Sequence, residues 1–192
     1  MNNYSVTLKQ QLFAIIDDMA TSRTPFVNDP GKDFIRTRKL TLTELIRFLL
    51  SLGGSNLSKE LLEYFSYDET TPSVSALFQQ RAKLKPYAFE YLFKTFTDIS
   101  MPINLKSWNN YRLIAVDGST IILPIDSINP DTFTQPKPNA KGFNQIHLNA
   151  LYDLCNSIYL DASCQYIHSR DERRAFVSML DNAFFDSSTI FI

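Results

Sequence analysis

One carboxylate stands where metal chemistry would need it. Asp117 follows the apolar residues 113–116 and precedes Gly118 and Ser119. A carboxylate at the end of a buried strand costs free energy unless it is hydrogen-bonded or holds a cation. Hard divalent ions such as Mg²⁺ prefer carboxylate oxygens as ligands. The structural alternative is a β-turn that begins at Asp-Gly, and these residues alone leave both interpretations open.

The other groups capable of chemistry lack partners at a useful spacing. His147 and His168 have no Cys or His neighbour at zinc-ligand spacing, so no zinc site is expected. The chain also lacks the GxxxxGKS and GxGxxG loops of nucleotide-binding proteins and the GxSxG turn of serine hydrolases. These patterns give no support to a nucleotide-dependent enzyme or a serine hydrolase.

Four further acidic residues are expected to have structural roles. Asp153 and Asp161 flank a predicted hairpin turn, where they should face solvent or cap the turn. Asp171 and Glu172 lie in the first turn of a predicted helix, where negative charge is favourable. We therefore predict that none of these four residues is a metal ligand.

Two cysteines lie in the adjoining strands of that predicted hairpin. With a turn centred near residues 156 and 157, Cys164 should lie opposite Asn149 rather than Cys155. A disulfide is therefore not expected, and reduced thiols indicate a cytoplasmic protein. No run of about 18 apolar residues predicts a membrane span, and the N-terminus has no secretory pattern.

Basic side chains form two clusters in the first half of the chain. Residues 1–112 carry 14 Lys or Arg and 11 Asp or Glu, whereas residues 113–192 carry 5 and 9. A basic front and an acidic back suit DNA contact by the first and metal binding by the second. The alternative for each basic residue is a solvated helix face. The predicted DNA-binding residues are Arg36, Arg38 and Lys39, together with Arg81, Lys83 and Lys85.

Helices are predicted throughout the first half. Thr41 and Glu44 have capping-box spacing, Asn56 or Ser58 can cap the next helix, and Thr71 with Pro72 begins a third. A fourth helix follows Lys85 and Pro86. Helices near 72–84 and 86–97, joined by a tight break, could form a helix-turn-helix-like pair.

The second half predicts strand, strand, strand, helix, strand. The first strand, at 111–124, is apolar on both faces and resembles a buried central strand. Residues 147–153 and 157–166 predict a hairpin. Ser169 and Glu172 have capping-box spacing before a helix, and residues 188–192 begin a strand. Since a natural domain rarely ends within an apolar strand, a truncated polypeptide is expected.

Four segments of the second half resemble a known family when they are taken in order: AVDGSTIILP, KGFNQIHLNALYD, NSIYLDA and SRDERRAF. They resemble the DDE transposases of bacterial insertion sequences, of the IS-four group. The resemblance runs from about residue 111 to the last residue, with weaker similarity back to about residue 36. It implies an α+β or α/β chain: a helical, DNA-binding segment at 1–106, then an incomplete RNase H-like catalytic domain at 107–192. The implied fold has three antiparallel strands, a helix and a fourth strand beside the first.

The resemblance also implies a catalytic site. Asp117 matches the first of three metal-binding carboxylates, which hold two divalent ions, Mg²⁺ or Mn²⁺, about 3.5–4 Å apart. The second Asp of the family would follow the fourth strand, just past Ile192, and the Glu would lie further on. Neither position belongs to this sequence, so the ion site is expected to be incomplete and the chain inactive alone.

Three functions remain open on the sequence. The first is a DNA transposase that cuts and joins transposon ends at their terminal inverted repeats, with a second copy or a full-length transposase as further partners. The second is a non-catalytic DNA-binding protein that occupies those ends and inhibits the full-length enzyme. The third is an unrelated RNase H-like nuclease, which would need its own second and third carboxylates. None involves a membrane.

Overall fold

The computed structural model of the chain describes residues 3–36, 38–101, 105–181 and 185–192. The chain divides into two compact units, 1–100 and 101–192. Over the described residues the first unit contains five α-helices, and the second contains one α-helix and a five-stranded mixed sheet. The fold class is therefore α+β. Within that part of the chain, no helix combines the length and apolarity that a membrane crossing requires.

The helices of the first unit enclose a single apolar core. Their bounds are α1 Asn3–Thr21, α2 Leu42–Ser51, α3 Leu57–Tyr64, α4 Val74–Arg81 and α5 Tyr87–Ser100, with a short 3-10 helix at Thr24–Phe26. Ile16 of α1, Leu45 of α2 and Leu77 of α4 are fully buried at its centre. Within each helix the buried side chains recur with the 3.6-residue period of an amphipathic helix.

The helix starts agree with the sequence at some positions and differ at others. The Thr41 hydroxyl accepts a hydrogen bond from Glu44 N (3.1 Å), which confirms the first predicted cap. Asn56 is the cap of α3, since its side chain accepts from Ser58 N. The predicted start at Thr71 is wrong, because the Thr71 hydroxyl donates to Asp68 O in the preceding turn. Ser73 caps α4 instead.

The sheet of the second unit is centred on two long antiparallel strands. Its elements are β1 Arg112–Leu123, β2 Phe133–Thr134, β3 Phe143–Asp153, β4 Ile158–Tyr166, α6 Glu172–Asp181 and β5 Thr189–Phe191. β3 pairs antiparallel with β1 on one side and with β4 and the short β2 on the other. β5 pairs with the other edge of β1 and runs parallel to it. The predicted sequence of three strands, a helix and a strand is confirmed, with β2 as an addition.

The register of the β3–β4 hairpin differs from the prediction by one residue. Asp153 pairs with Ile158 across the turn, and a bulge follows between Leu151 and Tyr152. Cys164 consequently lies opposite Leu148 rather than Asn149. The physical reason is the turn, which is centred between residues 155 and 156, one residue earlier than predicted. The bulge places one extra residue on β4 and offsets part of that shift. Cys155 lies in the turn, and both cysteines are free.

One face of the sheet packs against α6. Ile114, Leu151 and Met179 are buried between the sheet and this helix. The predicted cap at Ser169 is wrong, because its hydroxyl donates to Tyr166 O. Asp171 caps α6 instead, accepting from Arg174 N (2.9 Å), and its predicted structural role is confirmed.

Asp153 and Asp161 are buried, so neither residue faces solvent, which was one of the two roles predicted for them. Asp153 has the other predicted role and caps the turn: its Oδ1 accepts from Cys155 N and from the backbone and side-chain nitrogens of Asn156. Its Oδ2 accepts from Arg112 Nε at 2.8 Å. A carboxylate with no exposed surface is tolerated in such a place because both of its oxygens have donors.

We predict that Asp153→Ala lowers the free energy of unfolding by about 3–5 kcal/mol, because it leaves the Arg112 guanidinium without its buried partner. Denaturant unfolding measures the change. The exposed Asp131→Ala variant is the control and should change stability by less than about 0.5 kcal/mol. Equal effects of the two substitutions would contradict this account of the turn.

Candidate functional site

Asp117 lies within β1, on the face of the sheet that α6 does not cover. It pairs with Ala150 of β3, its side chain is exposed, and Oδ1 accepts a hydrogen bond from Gly118 N (2.8 Å). The turn interpretation is wrong, because β1 continues through Gly118 to Leu123. The carboxylate therefore projects from a continuous strand toward solvent.

The prediction that β1 is buried on both faces is also wrong for its second half. Ile114 is fully buried, whereas Ile122 is 67% exposed. Within the described residues, β1 beyond Gly118 extends past the part of the sheet that packs on α6, so its apolar side chains remain in contact with solvent.

A shallow hollow of about 240 Å³ surrounds Asp117. Two alanines line it, together with Tyr152 and Tyr159, whose ring centroids are 4.9 Å apart. Among the described residues that line it, Asp117 is the one charged group. The lining residues are Ala115, Asp117, Ser119, Leu148, Ala150, Tyr152 and Tyr159.

The parallel strand β5 approaches this hollow along the edge of β1. Ile114 pairs with Phe191, and Val116 N donates to Ile192 O at 2.9 Å. Ile192 N in turn donates to Ile114 O at 2.9 Å. The carboxyl end of β5 therefore places Ile192 opposite Ala115, two residues before Asp117.

The chemistry of Asp117 suits a divalent cation, but the described residues give that cation a single ligand. One oxygen of the carboxylate bonds to Gly118 N, and the side chain is exposed. No cluster of three or more His, Cys, Asp or Glu occurs in the part of the chain that the structure describes. The binding of Mg²⁺ or Mn²⁺ at Asp117 stays a prediction.

The residue after Asp117 has a packing role that the sequence did not indicate. Gly118 faces α6, and a Cβ added there would lie 2.5 Å from His147 Nε2. The His147 ring is buried, and Nε2 lies 3.2 Å from Glu172 Oε1 of α6. Neither ring nitrogen has a well-aligned hydrogen bond to a described residue. Glycine is needed at 118 because the imidazole occupies the space of a side chain.

The two predicted basic clusters meet in part, at a second hollow in the helical unit. We call this 570 Å³ space the basic hollow. It brings Arg36 and Arg38 of one cluster together with Lys83 of the other. Its lining residues are Gly31, Lys32, Asp33, Phe34, Ile35, Arg36, Arg38, Leu40, Gln80 and Lys83. The sequence did not indicate Lys32, because only the folded loop brings it beside the arginines.

Lys39 does not line the basic hollow. Its Nζ donates to Thr70 Oγ1 (2.8 Å), lies 3.3 Å from Asp68 Oδ1 and stands over the ring of Phe65. Hydrogen bonds from the Thr70 side chain and backbone, followed by the contact with Lys39, lower the pKa of Asp68 to about 2. Lys39 is thus engaged in the structure of the helical unit.

Arg81 and Lys85 also lie outside the lining of the basic hollow. Arg81 is exposed at the end of α4. Lys85 is half-buried, and its backbone N donates to Phe26 O (2.8 Å). The two helices of the predicted helix-turn-helix-like pair are present as α4 and α5, while their function as such a pair stays a prediction.

Comparison of the chain with family models, with curated proteins and with solved structures finds no match.

We predict that Gly118→Ala destabilises the protein by about 1–3 kcal/mol, since the new methyl group collides with the imidazole. Removing the imidazole creates room, so Gly118→Ala should cost less in a His147→Ala background. Denaturant unfolding of the four proteins gives the coupling energy, which we expect to be about 0.5–3 kcal/mol. Strictly additive effects would contradict the close contact.

We predict that the carboxyl group of Asp68 titrates with a pKa of about 2, as followed by the NMR chemical shift of its carboxyl carbon. Thr70→Val should raise this pKa toward the ordinary value more than Lys39→Gln does, because Thr70 is the largest cause. Because the pKa of Asp68 is lower in the folded chain than in the unfolded chain, its ionised form stabilises the fold above a pH of about 4. This contribution is lost as the pH falls from about 4 to 2. A larger rise of this pKa in Lys39→Gln than in Thr70→Val would show that Lys39, and not Thr70, is the main cause of the lowered pKa.

Proposed function

We propose that the chain belongs to a DNA transposase of the DDE type, with DNA-binding helices followed by an RNase H-like catalytic unit. The observation that carries the proposal is the place of Asp117 on β1, on an open face of the sheet and beside the end of the parallel β5. The order of three antiparallel strands, a helix and a strand parallel to the first supports an RNase H-like fold.

The register of β5 supports a shared carboxylate site. Because Ile192 lies opposite Ala115, the second residue beyond it in the same direction would lie beside Asp117. A second carboxylate there could hold an ion jointly with Asp117. When bound, a Mg²⁺ or Mn²⁺ ion supplies Lewis acidity toward a phosphodiester. Asp117 itself would orient that ion, and the open face would admit the DNA backbone.

The alternative proposal is a non-catalytic DNA-binding protein that occupies transposon ends and competes with a full-length transposase. One observation favours it: the basic hollow lies in the helical unit and uses no residue of the sheet. The third hypothesis, an independent RNase H-like nuclease, gains no support. Among the described residues Asp117 is the one carboxylate at its hollow.

We predict that Asp117 binds a divalent cation and that Asp117→Asn abolishes this binding. In the intact 192-residue chain, Mn²⁺ should broaden the amide signals of residues around 117 by paramagnetic relaxation. Asp131→Asn, at an exposed site of the same unit, is the matched control and should leave the broadening unchanged.

The same samples separate the two proposals on duplex DNA that carries terminal inverted repeats. Because the described residues give the ion one carboxylate, we expect a gel shift without nicking in Mg²⁺ or Mn²⁺. If Mn²⁺ still broadens the amide signals in Asp117→Asn and the variant still binds DNA, the transposase proposal is contradicted and the non-catalytic one is favoured.

A further inference from the structure

Resting on the proposed function, we infer that the basic hollow is a phosphate-backbone site for duplex DNA, in which Arg36, Arg38 and Lys83 make the contacts and Lys39 does not. The first support is geometric. Cations from the loop before α2 and from the turn after α4 line a single space of about 570 Å³. A volume of this size lies within the range of small-ligand sites in proteins.

The second support is the charge balance of the lining. Over the described residues, no ion pair engages Arg36, Arg38 or Lys83. Lys32 is 3.2 Å from Asp29 and is compensated in part. The one acidic lining residue, Asp33, is buried. The basic hollow therefore keeps an excess of positive charge.

The third support is that Lys83 is held in place before any ligand binds. Lys83 O accepts from Asn28 N (2.9 Å), and Asn28 Nδ2 donates to Ala82 O (2.8 Å). Its ammonium donates to Gln80 Oε1 (3.2 Å), a neutral acceptor that orients the side chain and leaves its charge uncompensated. A cation fixed in this way loses little conformational entropy when an anion binds.

The chemistry of the three cations points to phosphodiesters. Arginine guanidinium groups bind phosphate oxygens in bidentate geometry, and lysine contributes a point charge. Arg36 and Arg38 are exposed, so they can reach successive phosphates of an extended backbone as well as one small anion. Duplex DNA and free phosphate compounds share this chemistry, and the proposed function selects the duplex.

The test compares two variants that lose the same charge. R36Q/R38Q/K83Q removes the three unpaired cations, whereas K39Q/K59Q/K94Q removes three lysines that form ion pairs with Asp68, Glu63 and Glu90. Binding of a 20-base-pair duplex to the intact chain is followed by fluorescence anisotropy between 50 and 200 mM salt. Circular dichroism spectra and melting temperatures check the fold of each variant.

We expect the first variant to flatten the slope of log K against log salt by about 2–3, since each phosphate contact contributes about 0.9. Its affinity at 50 mM salt should fall at least tenfold, and the control variant should keep the slope of the original chain. If R36Q/R38Q/K83Q fails to fold, R36Q/R38Q at the two exposed positions should flatten the slope by about 2. Equal slopes for the two charge-matched variants would overturn the inference.

Two further arms identify the source of the phosphate and separate the inference from the proposed function. Inorganic phosphate and mononucleotides at millimolar concentration should displace the duplex weakly, and displacement at micromolar concentration would assign the hollow to free anions instead. Asp131→Asn, at an exposed position outside both hollows, should bind the duplex unchanged. If the triple variant flattens the salt slope but Asp117 binds no cation, the transposase proposal fails and this inference stands. If Asp117 binds a cation but the triple variant keeps the slope, this inference fails and the transposase proposal stands.

Discussion

A buried ion pair joins the two longest strands of the sheet and fixes how they lie against each other. Arg112 begins β1, Asp153 ends β3, and their side chains meet at 2.8 Å with the carboxylate fully buried. The backbone N of Arg112 donates to Ser188 O, which sets the start of β5. Because a one-residue slip would reverse both faces of a strand, this pair determines that Asp117 faces solvent and that Gly118 faces α6.

The two candidate sites have opposite electrostatic requirements. The carboxylate of Asp117 repels a DNA backbone at close range unless a cation neutralises it. In our proposal the basic hollow attracts the same backbone without any ion, and with a strength that depends on salt. The helical unit would then attract the DNA and the sheet unit would act on it chemically. Each property can be removed by substitution while the other is kept.

The sequence predicted well the features that local rules determine. Thr41 caps its helix, and the order of strands follows from apolar patterning. The errors arose where distant residues decide. The β3–β4 turn is centred one residue earlier than predicted, which changed the partner of Cys164. Donors around Asp153 stabilise a buried carboxylate, and contacts with Asp68 and Thr70 hold Lys39 apart from the other cations. Convergence of Arg38 with Lys83 requires a folded loop, so no spacing in the sequence could indicate it.

The contact between Gly118 and His147 bears on how a short motif is interpreted. Asp117 and Gly118 are neighbours in sequence but point to opposite faces of the sheet, and each is constrained by a different part of the molecule. In diverging copies of this gene, the residue at position 118 should change only together with the residue at position 147, independently of changes at position 117. An Asp-Gly pair in such a strand can therefore be retained for two unrelated reasons: the chemistry of the carboxylate and the packing space at the glycine.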